Sequence, residues 1–265
     1  IAHGTRMLSI IAGSEFGAAA GVPVEVYSYD IYPGDTGGAS NLGLLVSAIW
    51  RAASEHQIAR ISDPDLLGVV CIANGTGTPT SSPALLAAID QALGQNLVVV
   101  VSAGNDGADA LDGHAPADVI NHAQDAYLPG AYGSSRDGLI SVGASTQDNV
   151  PSPISNFGDA IDLWAPGVEV QTFDPAAAAN GQTSLMSGTS AAAALVTAAA
   201  IGELSRQPEL TSEQLEDVLK QRLFAGPVPI VQIDDDLDAD GAVDELERFF
   251  GYSIHDGGSC PPGLG

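Results

Sequence analysis

Apolar positions along this chain follow two rhythms. Short β-branched runs bounded by Gly, Asn or Ser recur as "VPVEVYSYDIY", "LLGVVCIAN", "NLVVVVSAG", "GLISVGAS" and "AIDLWAPG", and each predicts a strand. Between and after them, apolar residues return at helical spacing in "NLGLLVSAIWRAASEHQIAR", "SPALLAAIDQALGQ", "TSAAAALVTAAAIGELSR" and "TSEQLEDVLKQRLF", which predict helices. A similar apolar-periodic segment opens the chain at "IAHGTRMLSIIAG". Strands that are continuously apolar and separated by helices argue for an α/β fold, a parallel sheet with helices on both faces. Ligands of such sheets bind beyond the carboxyl ends of the strands. No internal repeat is visible. After about Gly226 the composition shifts to Pro and Asp, so residues 226–265 are expected to form an acidic appendage to a body of residues 1–225.

Composition narrows the partners more than the fold. The 265 residues carry 33 acidic and 8 basic side chains, a formal charge of −25, and Lys220 is the only lysine. A surface of that sign repels nucleic acid and anionic membranes, so neither is expected as a partner. The long uncharged stretch from Gly181 to Gly202 has an apolar part of about 14 residues, short of the ~20 that a membrane span needs, and predicts a buried core helix. Two cysteines, Cys71 and Cys260, make no disulfide framework, and Cys71 in its apolar run is expected to be a buried thiol.

Chemistry is therefore sought where strands end, and three stretches stand there: "HGT" at 3–5, "SAGN" at 102–105 and "GTS" at 188–190. Singly, each has an ordinary explanation. A Ser opening a helix is commonly an N-cap, an Asn after a strand a turn residue, and a His near a terminus carries no signal. Together and in this order they resemble the subtilisin-like serine proteases, the subtilase family. The likeness extends through "SPALLAAIDQALGQNLVVVVSAGNDG", "GLISVGAS" and "LWAPGVEV" and covers residues 1 to about 225.

The resemblance implies a subtilisin-like three-layer α/β/α fold and a secreted or cell-surface endopeptidase. Its substrates would be proteins or peptides, with an N-terminal segment of its own precursor as a further partner. It casts Ser190 as nucleophile and His3 as the base that takes the hydroxyl proton and returns it to the leaving amine. The Asn105 amide and the Ser190 N–H become the oxyanion donors. Gly75-Thr76-Gly77 stand where the family usually has Ser-Leu-Gly and, with Ser102, Ala103 and Gly104, are expected to line the substrate cleft. The family's aspartate lies on a strand upstream of the histidine, where this chain has only Ile1 and Ala2. Asp30 and Asp35 follow the histidine and lack the motif's context, so the chain is expected to be N-terminally incomplete and inactive by itself. Arg6 stands where the family usually has His, and Ala194 where it has Pro.

The appendage holds a second motif, "DLDADGAVDELE". Counted from Asp236, Asp238, Asp240 and Asp244 fall at the third, fifth and ninth places. Gly241 takes the sixth, the Ala242 carbonyl the seventh and Glu247 the twelfth, which matches an EF-hand calcium loop. "GPVPIVQID" looks extended, so no entering helix precedes it, and a dockerin-like or isolated calcium site is expected. His56, His114, His122 and His255 are read as surface residues, and no His-Glu-x-x-His zinc motif occurs. Two rivals remain. An α/β-hydrolase reading treats residues 188–192 as a nucleophile elbow with His255 as base. A catalytically inactive subtilase relative would be a peptide-binding or surface module.

Overall fold

A computed structural model describes residues 2–15, 17–32, 41–76, 81–107, 127–133, 135–176, 183–221, 223–225 and 229–231. In chain order the elements are α1 (Ala2–Ala12), α2 (Leu42–Ser62), β1 (Gly68–Ile72), α3 (Pro83–Gly94), β2 (Leu97–Ser102), β3 (Leu139–Ser145), β4 (Leu163–Pro166), β5 (Val170–Phe173) and β6 (Thr183–Met186). They are followed by α4 (Thr189–Arg206), α5 (Ser212–Gln221), β7 (Leu223–Ala225) and β8 (Pro229–Val231). The main sheet runs β1-β2-β3-β4-β8-β7, parallel from β1 through β8, and closes in an antiparallel β7-β8 hairpin. β5 and β6 form a separate antiparallel pair.

The uninterrupted valines of β2 are explained by what covers them. Val98 and Val100 face a core shared with α4 and α5, whereas Leu97, Val99 and Val101 face a core shared with α2 and α3. Alternate side chains of a strand point to opposite faces, so a strand buried on both needs apolar residues throughout. The expected three-layer α/β/α arrangement is what the structure shows. β8 joins the sheet beside β4, so the sheet takes up residues on both sides of the composition shift at Gly226.

α4 is the middle of the body. Ala192, Ala193, Val196 and Ala200 pack under the sheet, while Ala191, Ala194, Leu195 and Ala198 pack against Met7 and Ile10 of α1. A helix enclosed on both sides must be apolar all round, and its alanines let sheet and α1 approach closely. The expected buried core helix is thus present, and among the described residues no helix is long and apolar enough to cross a membrane. Cys71 reaches toward the same helix: burial pushes its thiol up to about 11, with the Thr197 hydroxyl pulling the other way.

One predicted strand is corrected. "VPVEVYSYDIY" joins no sheet among the described residues; Val26 and Tyr27 are 51% and 61% exposed. Its alternation is real, but water reaches both faces, and the stretch is anchored by single side chains. The Tyr29 hydroxyl donates to Glu55 at 2.5 Å, and Ile31 reaches the α2-α3 core. β1 in turn pairs on one side only among the described residues and is half-buried for most of its length, where a fully buried strand was expected.

Candidate active site

The first turn of α4 is bonded to residues just past the ends of three strands. The Gly188 N–H donates to Gly167 O at 2.7 Å beyond β4, and the Thr189 N–H donates to Asn105 Oδ1 at 2.8 Å beyond β2. The Ser190 hydroxyl donates to Ala73 O at 2.9 Å beyond β1. Gly188 has φ +147°, a value that L side chains rarely adopt, and a Cβ there would stand 3.2 Å from Asn105 Nδ2. Both conditions make glycine the residue that can open this helix.

Asn105 and Thr189 interlock. Asn105 Oδ1 also accepts from the Thr189 hydroxyl at 3.0 Å, and that hydroxyl accepts from the Gly104 N–H at 3.1 Å. Two donors on one oxygen determine which end of the amide is which, so Nδ2 is the end left over. Asn105 is exposed although Ala103 and Gly104 beside it are buried. Nδ2 and the Ser190 N–H have no partner among the described residues. The second is in a first helical turn, where N–H groups lack intrahelical acceptors and the helix dipole favours negative charge.

A residue with no sequence signal holds that loop in place. Asn156, fully buried, donates through its amide to Ala103 O at 2.9 Å and through its N–H to Gly104 O at 2.9 Å. It also accepts from the Asp106 N–H at 2.9 Å. Gly104, at φ +103°, has no room for a side chain: a Cβ would fall 2.3 Å from Asn156 Nδ2. The peptide groups of Ala103 and Gly104 are thus engaged within the protein. Ser102 is buried with its hydroxyl unpartnered among the described residues.

On the β1 side, Thr76 exchanges both backbone hydrogen bonds with Leu128, at 2.9 and 2.8 Å, so Gly75 and Thr76 are tied to the segment that begins at Tyr127. Gly77 lies outside the described residues, as do Asp236, Asp238, Asp240, Ala242, Asp244 and Glu247. Among the described residues no group of three His, Cys, Asp or Glu side chains is placed to hold a metal.

His3 stands half-buried in the first turn of α1, the helix packed on α4. It makes no hydrogen bond to Ser190, whose hydroxyl is turned to Ala73 instead, and among the described residues no carboxylate pairs with it. Burial, and then the Arg6 guanidinium one turn on, hold its pKa below the ordinary histidine value. Arg6 itself lies 3.9 Å from the Asp174 carboxylate. The structure therefore brings Ser190 and Asn105 into one bonded unit and leaves His3, on the helix packed against α4, unjoined to it. Asn156, Ala73 and Tyr127 were missed from the sequence, because each acts across a long chain separation that no local pattern marks.

A parallel α/β body with a serine and a spare carboxamide at one helix head, and a histidine on the helix packed against it, defines a protein with a serine-centred site at the carboxyl edge of its sheet. The chain belongs to the subtilase family, whose model, Peptidase_S8, matches residues 2–253. It is 30% identical over 220 residues to an extracellular serine proteinase of Thermus sp. (strain Rt41A), covering 82% of this chain and 44% of that protein. It is 27% identical over 220 residues to subtilisin E of Bacillus subtilis (strain 168), covering 82% of this chain and 49% of that protein. The crystal structure of a cold adapted subtilisin-like serine proteinase superposes with a TM-score of 0.60 at 26% identity, over 83% of this chain and 67% of that one. The chain spans about half the length of the curated relatives it matches.

Replacing Asn156 by Leu leaves the Asp106 N–H and Ala103 O without their buried partner. It is expected to lower unfolding free energy by about 1–3 kcal/mol, read from the urea midpoint at unchanged slope. Arg6→Gln removes a like charge that disfavours the imidazolium. The His3 ring protons should then titrate at higher pH by NMR than in the parent, and an unchanged or lower titration point would refute the role given to Arg6.

Proposed function

We propose that the protein is a serine endopeptidase acting on protein or peptide substrates. Ser190 is the nucleophile, His3 the general base, and Asn105 Nδ2 with the Ser190 N–H the oxyanion donors. The observation that supports this best is the interlock at the head of α4. Thr189 takes the oxygen end of the Asn105 amide, leaving two donors that are unpartnered among the described residues beside one hydroxyl. Family membership points the same way.

In the reaction, Ser190 Oγ leaves Ala73 O, gives its proton to His3 and attacks the acyl carbon. The negative charge that develops on the carbonyl oxygen is met by donors already in place, so little reorganisation is needed as it forms. His3, whose imidazolium is disfavoured by burial and by the Arg6 guanidinium, is the proton acceptor, and a paired carboxylate would oppose both effects. A carboxylate from a strand that precedes His3 in the protein is the proposed third member. It would hold the imidazole tautomer and stabilise the imidazolium. Secretion is proposed on the strength of the Thermus relative, named as extracellular.

In the full-length protein, a fluorophosphonate probe should label Ser190 and fail to label Ser190→Ala. Asn105→Ala should lower kcat by ~10²- to 10³-fold, the size found on removing one such donor from a subtilisin. A full-length protein that folds and leaves Ser190 unlabelled would favour the peptide-binding reading over the enzyme.

We further propose that Asp236, Asp238, Asp240, the Ala242 carbonyl, Asp244 and Glu247 bind calcium. Support for this comes from their spacing, with oxygen donors at every ligand position and Gly241 at the turn. Calorimetric titration should show binding that Glu247→Gln weakens at least tenfold; equal affinity in the two proteins would dismiss the site.

A further inference from the structure

The interval between the exits of β1 and β2 is occupied. A Cβ built on Gly75 would fall 2.4 Å from Tyr127 Cε1, and one built on Gly104 would fall 2.8 Å from Tyr127 Cγ. The phenol ring therefore reaches from one strand exit to the other, with its base at Gly104 and its tip at Gly75. It is fixed there from behind. Leu128, fully buried, carries the two-way bridge to Thr76, and the Tyr127 carbonyl accepts from the Ala131 N–H at 2.8 Å. Burial, and then the Asp106 carboxylate, push the phenol up to about 12, so it stays neutral. The Ser102 hydroxyl lies near it without closing a hydrogen bond.

This interval is where a substrate side chain has to go. On the peptidase reading, the acyl carbon sits at Ser190 Oγ with its oxygen toward Asn105 Nδ2. Ser190 Oγ is bonded to Ala73, two residues before Gly75, and the amide belongs to the residue after Gly104. The residue that contributes the scissile carbonyl is thus held between the two exits. Its side chain, which begins two bonds from the acyl carbon, projects between Gly75 and Gly104, where the ring already stands.

We propose that Tyr127 is the specificity-determining residue of this site, filling the space for the residue on the acyl side of the scissile bond and confining it to Gly, Ala or Ser. The proposal rests on the serine-peptidase reading. A pocket that lacks room for a few methylenes discriminates by ~10- to 200-fold for each one excluded. Phe or Leu before the scissile bond should therefore be disfavoured against Ala by at least ~100-fold in kcat/KM.

The test uses the full-length protein. Product sequencing of a denatured protein digest should show cleavage after Gly, Ala and Ser, and cleavage mainly after Phe, Leu or charged residues would overturn the proposal without any variant. Tyr127→Gly should raise kcat/KM for a Phe-containing peptide at least tenfold while leaving Ser190 reactive to fluorophosphonate. Tyr127→Phe, which keeps the ring, should retain the parent preference. A labelled Tyr127→Gly protein with an unchanged Ala-to-Phe ratio refutes the role of Tyr127 alone. A parent protein that leaves Ser190 unlabelled refutes the peptidase reading and this inference with it.

Discussion

The burial of α4 from Thr189 through Ala200 is the constraint on which the other features depend. Because its alanines pack the sheet on one side and Met7 and Ile10 on the other, the helix cannot slide or rotate without opening voids on two faces. Its first turn is therefore held at the ends of β1, β2 and β4, and Gly188, Thr189 and Ser190 each form a hydrogen bond to the residues just beyond one of them. A helix head held this firmly can carry a reactive group whose position is set by packing. Arg6 and His3 ride on the helix that closes the outer face, so His3 and Ser190 are coupled through the same apolar layer.

Polar precision is then added by carboxamides. Asn105 faces solvent and Asn156 is fully buried, yet the two depend on each other, since Asn156 holds the backbone on either side of Asn105. Amides suit both tasks because each carries a donor and an acceptor in one plane and no charge that burial would penalise. Gly104 makes the arrangement possible by adopting a backbone conformation and a proximity that no other residue fits. The Ser190 hydroxyl rests on Ala73 O, a neutral acceptor that holds it without activating it.

Much of this was legible beforehand, and the exceptions share a cause. The runs "NLVVVVSAG" and "GLISVGAS" became fully buried parallel strands because both faces of each strand are covered, a condition their composition reports directly. "VPVEVYSYDIY" is also rich in strand-forming residues yet joins no sheet among the described residues, because strand propensity describes fitness for a pleated surface and cannot supply the neighbouring strand. "SAGN" and "GTS" were recognisable as motifs, and the structure joins Asn105 to Thr189. Nothing around Asn156 or Tyr127 distinguishes them locally, since their contacts run to residues about 50 or about 20 to 50 positions away.

By itself, the sequence determined the layering of this protein. Apolar periodicity sets which segments can be covered on one face, two faces or all round, and that follows from burial alone. It also placed the three chemical motifs at the ends of those segments. Only the tertiary structure decided which groups meet: that Thr189 takes the oxygen of Asn105, that Ser190 rests on Ala73, that His3 stays apart from both, and that Tyr127 bridges Gly75 and Gly104. Hydrogen-bond partners are chosen within a few tenths of an ångström. That precision arises only when distant segments are packed against each other, so it has no counterpart in the local pattern of the chain.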